Sequence, residues 1–240
     1  MRTLVAQTRA ELVLTMRRGE SLLLVIGIPL LLLGFFAVVD VLPKGDHAEA
    51  IDVLAPGVLA LAVMSTAMVH LAIGTAFERQ YGVLKRLGST PLGRPRLLGA
   101  KTLSIAVVEA LQVVLLVALA LALGWDPSLQ IEAVGAVLLG TVAFAGVGLL
   151  MAGTLRGEVT LAAANGLYLV LLLLGGMVVP LTELPDPVRS VAELLPSAAL
   201  ADALIGTLDA GTSVPGKAWI VLGAWALVAP IAAARFFRWE

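Results

Sequence analysis

Six apolar runs, each about as long as a bilayer crossing, leave this chain few folds to choose from. They lie roughly at Ser21–Leu42, Leu54–Phe77, Thr102–Gly124, Ala133–Leu155, Val159–Val179 and Ala218–Ala234, and a spanning helix needs about twenty residues. The chain is 60% hydrophobic, more apolar surface than 240 residues could hide in a soluble domain. An all-α membrane protein with six transmembrane helices is therefore expected, as a single transmembrane domain over residues 1–240. Met1–Glu20 precedes the first run, with Leu4, Val5, Thr8, Leu12 and Met16 at helical spacing. It reads as an interfacial helix along the membrane (residues 1–20), not a signal peptide, because the following apolar run is too long and lacks a cleavage site.

Charge distribution sets the expected orientation. Of the 16 Lys and Arg residues, six fall between Phe77 and Lys101. The N-terminal arm adds Arg2, Arg9, Arg17 and Arg18, and the tail adds Arg235 and Arg238. The loops of the opposite face hold only Lys44, Arg189 and Lys217, and most acidic residues. Basic loops stay on the cytoplasmic side, so both termini and residues 78–101 are expected there, in a multi-pass protein of the plasma membrane. Net charge is −1, which gives no reason to expect a nucleic-acid partner.

The outer segment, residues 180–217, is half apolar yet broken by Pro180, Pro185, Pro187 and Pro196. Proline stops a spanning helix and starts short ones. Short helices dipping into the outer leaflet fit that composition; a surface loop with amphipathic helices is the plainer alternative.

Several catalytic classes are excluded. Gly93–Thr102 ends Gly-Ala-Lys-Thr, but its spacing is wrong for a phosphate-binding loop, so no ATP site is expected in this chain. With no cysteine, only His47 and His70, and no HExxH, no catalytic residues and no metal site are expected. GxSxG is absent too.

Two motifs on opposite faces carry a family resemblance. One is Glu78, Arg79, Gly82, Leu84, Leu87, Thr90 and Pro91; the other is Gly176, Pro180, Leu184, Pro185, Leu195 and Pro196. With six spans and an N-terminal interfacial helix, the chain resembles the membrane permease subunit of a type-2 ABC exporter, and most of all the daunorubicin-resistance branch. The resemblance implies ATP-driven export of a hydrophobic or amphipathic substrate, such as a drug or lipid. It implies a separate ATP-binding subunit that holds ATP and Mg, and a second permease subunit, identical or paralogous. It implies a coupling helix within residues 78–101, and an outer re-entrant gate with Gly176, Pro180, Pro185 and Pro196. The sequence permits such a helix: Val83, Leu84 and Leu87 form an apolar stripe for helix-in-groove docking, and Pro91 ends it. A basic loop resting on anionic headgroups is the competing reading.

Polar residues inside the spans are costly and therefore informative. His70, Glu109 and Asn165 lie seven or eight residues from the inner ends of their spans, with Thr66, Gln112 and Tyr168 one turn deeper. A polar layer is expected, with Glu109 paired to His70 or Asn165. It is either a structural clamp between helices or a lining of the substrate path. A proton-coupled secondary transporter using Glu109 and His70 is the alternative function, and a membrane protein of structural or assembly role is the third.

Overall fold

The computed structural model describes residues 2–17, 19–39, 50–90, 92–128, 130–177, 181–209 and 214–239. Among them there are helices and connections but no strand. The helices are α1 (Arg2–Arg17), α2 (Gly19–Val38), α3 (Ala50–Met64), α4 (Leu71–Gln80), α5 (Val83–Gly88), α6 (Arg94–Ala122), α7 (Ile131–Thr154), α8 (Gly157–Leu174), α9 (Asp186–Ala192), α10 (Pro196–Leu208) and α11 (Gly216–Phe236). A π-helical segment, Ser65–His70, joins α3 to α4, so the second span is one helix over Ile51–Gln80.

All six expected spans are long and apolar enough to cross a membrane, with shifted ends. The third begins at Arg94, not Thr102, because Pro95 sits in its first turn, where a missing N–H costs nothing. The fifth ends at Leu174 because Gly175 and Gly176 follow, and Gly176 takes a left-handed turn at φ 67°. The first predicted run extends to Leu42, beyond the described residues.

The second span is the hub. Its most apolar stretch is 72% buried, against 11% for α2 and 17% for α11. Lipid tails are as apolar as leucine, so helices in a bilayer associate through close packing and hydrogen bonds rather than by expelling water. Small residues supply that packing on α7. A Cβ on Gly148 would stand 2.6 Å from the Met68 carbonyl oxygen of the π segment. A Cβ on Gly146 would stand 2.6 Å from Pro230 N and 2.7 Å from the Ala229 carbonyl carbon, where α7 crosses α11. These glycines close contacts inside one chain. The outward faces of α2, α6, α8 and α11 carry exposed leucine, valine and isoleucine, such as Leu31, Val114, Leu173 and Ile220, as lipid contact requires.

Helix α1 lies against α6. Its packed face is Leu4, Gln7, Thr8, Glu11, Leu12 and Thr15, one helical stripe, while Val5, Val13, Leu14 and Met16 are exposed. The predicted apolar stripe is thus split: Leu4, Thr8 and Leu12 turn inward, Val5 and Met16 outward.

Candidate functional site

The loop between the second and third spans is built on a helix stop. At the end of α4, Tyr81 N–H donates to Phe77 O and Gly82 N–H to Arg79 O, and Gly82 takes φ 73°. Glycine reaches that conformation without steric cost. Helix α5 then leaves in a new direction. Its far end is closed by the hydroxyls of Ser89 and Thr90, which donate to Arg86 O at 2.7 Å and Leu87 O at 2.6 Å. Pro91 lies outside the described residues.

Burial corrects the expected docking stripe. Leu84 is fully buried in the chain's own core, so it anchors α5 to this protein and is closed to a partner. Leu87 is half-buried against the same core. Val83, Lys85 and Arg86 form the exposed face of α5.

Glu78 and Arg79 are also engaged internally. Glu78 Oε2 accepts from Lys101 Nζ at 2.6 Å, and Glu11 Oε2 accepts from the same nitrogen at 2.9 Å. Lys101 is 2% exposed and Glu11 7%. One buried ammonium therefore binds α1, the end of α4 and the start of α6. Arg79 Nη2 donates to Leu155 O, at the turn from α7 to α8. The end of α4, from which the loop departs, is thereby fixed to α1, α6 and the turn from α7 to α8. By sequence alone Lys101 belongs to the loop charge, and Glu11 is one acid in a basic N-terminal arm. The available signals were Pro95, which moves the start of the helix outward, and Glu11, the one carboxylate among the first nineteen residues.

The polar layer forms in part. Thr66 Oγ1 donates to Gln112 Oε1 at 3.0 Å, and Gln112 Nε2 donates to Val25 O at 2.7 Å. The second bond has a covalent cause. In an α-helix Val25 O would receive the N–H of residue 29, and residue 29 is a buried proline without one. Gln112 fills the vacancy from a neighbouring helix, as backbone groups in a membrane require. The π segment carries Thr66: Leu71 N–H reaches back five residues to Thr66 O. Such insertions cluster at functional sites, and hydropathy does not register them.

Glu109 is placed otherwise than expected. It is 1% exposed, and its partner is Thr141 on α7, whose hydroxyl donates to Oε2 at 2.5 Å; Oε1 has no hydrogen-bond partner. Neither His70 nor Asn165 pairs with it. Asn165 is exposed and donates to Leu161 O within its own helix at 2.8 Å, because its side chain falls on the outer face of α8. His70 and Tyr168 are half-buried, on the π segment and on α8. Thr141 was not foreseen, since a lone threonine in an apolar run is too common to stand out.

On the opposite face, α9 and α10 meet at 84°. Pro185 and Pro196 each set the start of a helix. Trp225 Nε1 on α11 donates to Leu194 O at 3.0 Å, and Lys217 Nζ donates to Glu193 Oε2 at 2.6 Å, pinning the corner. Hydrogen bonds from Lys217, then Arg189, hold the Glu193 carboxyl below the ordinary carboxylate range. Helix α10 is almost wholly buried and packs on α3, α7 and α11. A Cβ on Gly140 of α7 would stand 2.9 Å from Leu200. Leu200 therefore sits opposite a residue nine positions into the span, ~13 Å at the helical rise. At the other end of α10, Ser128 N–H donates to Leu208 O at 3.0 Å. Gly176 makes the turn after α8, and Pro180 lies outside the described residues.

Six spans, five of them around the buried second, with a short charged helix at that span's end, define a multi-pass membrane protein. The chain belongs to the ABC-2 type transporter family, whose match covers residues 3–208. It is thus a permease, a transmembrane component that lacks an ATPase site, and membership implies an ATP-binding partner subunit. Helix α11 lies beyond the matched residues. No curated protein matches the chain.

Proposed function

We propose that this chain is the permease of an ATP-driven exporter for a hydrophobic or amphipathic substrate, of the daunorubicin-resistance-like branch. The observation that carries the reading is that α5 follows directly on the end of the most buried span and sinks Leu84 into the chain's core. A force on the exposed face of α5 is thereby delivered to the centre of the bundle rather than to a loose loop. ATP and Mg belong to the partner subunit, whose closure would press on Val83, Lys85 and Arg86. Two permease chains, identical or paralogous, form the pathway. Both termini face the cytoplasm, following the basic charge, and the daunorubicin-resistance resemblance points to a bacterial plasma membrane. The outer segment acts as a re-entrant gate; the 84° corner at which exposed α9 turns into buried α10 supports this. Gln112, Thr66 and Glu109 form the polar layer. The Gln112 bond to Val25 O favours a clamp role for that residue, while the free Oε1 of Glu109 favours a place on the path.

Co-purification with the ATP-binding subunit tests the proposal. Wild type should capture it, and Val83→Asp with Arg86→Glu should lose it while staying folded, since both side chains are exposed. Equal capture by both proteins would remove α5 as the docking element. Transport that persists without any ATP-binding subunit and follows a proton gradient would favour the secondary-transporter alternative.

A further inference from the structure

A cleft of about 580 Å³ opens where α4 ends and α8 begins. Among the described residues Arg79, Lys85, Arg156 and Glu158 line it, and Trp239 forms an aromatic wall. The wall is well seated. Trp239 packs edge-on against Phe237 with ring centroids 6.0 Å apart, and it lies over Gly88, where a Cβ would stand 3.1 Å from the indole. Arg238, bonded through its backbone N–H to Gly153 O at 3.1 Å, adds a fourth cation near Arg79. Three lining cations gathered in a concavity create a positive potential, and Arg156, the N-cap residue of the adjacent α8, makes no capping bond with its side chain.

Position selects the source of the anion. Val159 and Leu161 on α8 are 49% and 43% exposed, so hydrocarbon contact begins within about a turn of the cations. Tyr81, 72% exposed and stacked on Phe77 at 6.1 Å, stands at the same end of α4. Tyrosine and tryptophan gather at headgroup level. Cations, amphipathic rings and exposed aliphatic side chains in that order match a lipid phosphate and the chains below it.

We propose that this cleft binds the phosphate headgroup of an anionic membrane lipid. The site needs no ATP-binding subunit to form, but Lys85 also lies on the face of α5 assigned above to that subunit, so lipid and subunit compete for this side chain.

The test is native mass spectrometry of the full chain released from phosphatidylcholine nanodiscs containing a fixed fraction of phosphatidylglycerol. Wild type should retain phosphatidylglycerol in preference to phosphatidylcholine. Lys85→Gln with Arg156→Gln should lower that preference roughly twenty-five-fold, about a factor of five for each cation near the headgroups. Lys85→Arg with Arg156→Lys, which keeps the charge, should preserve it. Equal retention of both lipids by wild type, or an unchanged preference in the glutamine variant, overturns the proposal. Displacement of phosphatidylglycerol by millimolar inorganic phosphate overturns the lipid assignment in favour of a free anion. Its displacement by stoichiometric ATP-binding subunit assigns the cleft to the subunit interface instead.

Discussion

Replacing Gln112 with leucine should cost stability, and the cost should depend on Pro29, which lies one turn along α2 from the carbonyl that Gln112 bonds. The amide holds two groups: it donates to Val25 O at 2.7 Å and accepts from Thr66 Oγ1 at 3.0 Å. Val25 O can only accept, which fixes which end of the amide faces it. Leucine leaves that carbonyl without a donor. An orphaned buried acceptor costs about 1–3 kcal/mol, and hydrogen bonds between membrane helices average about 0.6 kcal/mol. A loss of about 1–3 kcal/mol is expected in the wild-type background. In Pro29→Ala the backbone N–H returns and bonds Val25 O within α2. There Gln112→Leu should cost only its Thr66 bond, about 0.6 kcal/mol. The packing change at residue 29 cancels in the double-mutant cycle. Unfolding of the four proteins in mixed micelles would measure the coupling, expected near 1 kcal/mol. Additivity within about 0.5 kcal/mol would refute the reasoning.

Lys101→Met should destabilise by about 3–5 kcal/mol, since it strands the buried Glu11 beside Glu78, and the loss should appear as low yield and a lowered unfolding midpoint. Glu11→Gln should cost less, because Lys101 keeps Glu78. Gly148→Ala should destabilise by about 1–3 kcal/mol in the same assay, because its Cβ would meet backbone of the π segment rather than a movable side chain. Glu193 is held below the usual carboxylate range by Lys217 and Arg189. Its contribution should therefore be intact above the unfolded value, about pH 4.3, and fade as pH falls through the lower folded value. Amide exchange in α9 should rise over that window in wild type and be high at all pH values in Glu193→Gln. Gly82→Ala should cost about 1–2 kcal/mol from its positive φ alone, with a Cβ there meeting no neighbour.

The six spans were legible in the sequence because crossing a bilayer is a sum over about twenty consecutive residues, and local order alone determines that sum. The proline breaks were legible on the same terms, since Pro185 and Pro196 act through their own backbone chemistry, whereas the turns at Gly82 and Gly176 came from the structure. Which face of each helix meets which neighbour depends on rotation and crossing, and no local pattern carries it. Asn165 and Gln112 are both amides in apolar runs, yet one faces outward and the other spans two helices. Leu84 reads as a docking anchor until the tertiary structure buries it. Lys101 reads as loop charge until α6 starts early and α1 brings Glu11 to it. The sequence by itself determined what must lie in the membrane, because burying backbone polar groups there leaves only helices of that length. Only the tertiary structure decided which polar atoms meet, because a lone carbonyl such as Val25 O is answered by whichever side chain the packing brings within about 3 Å.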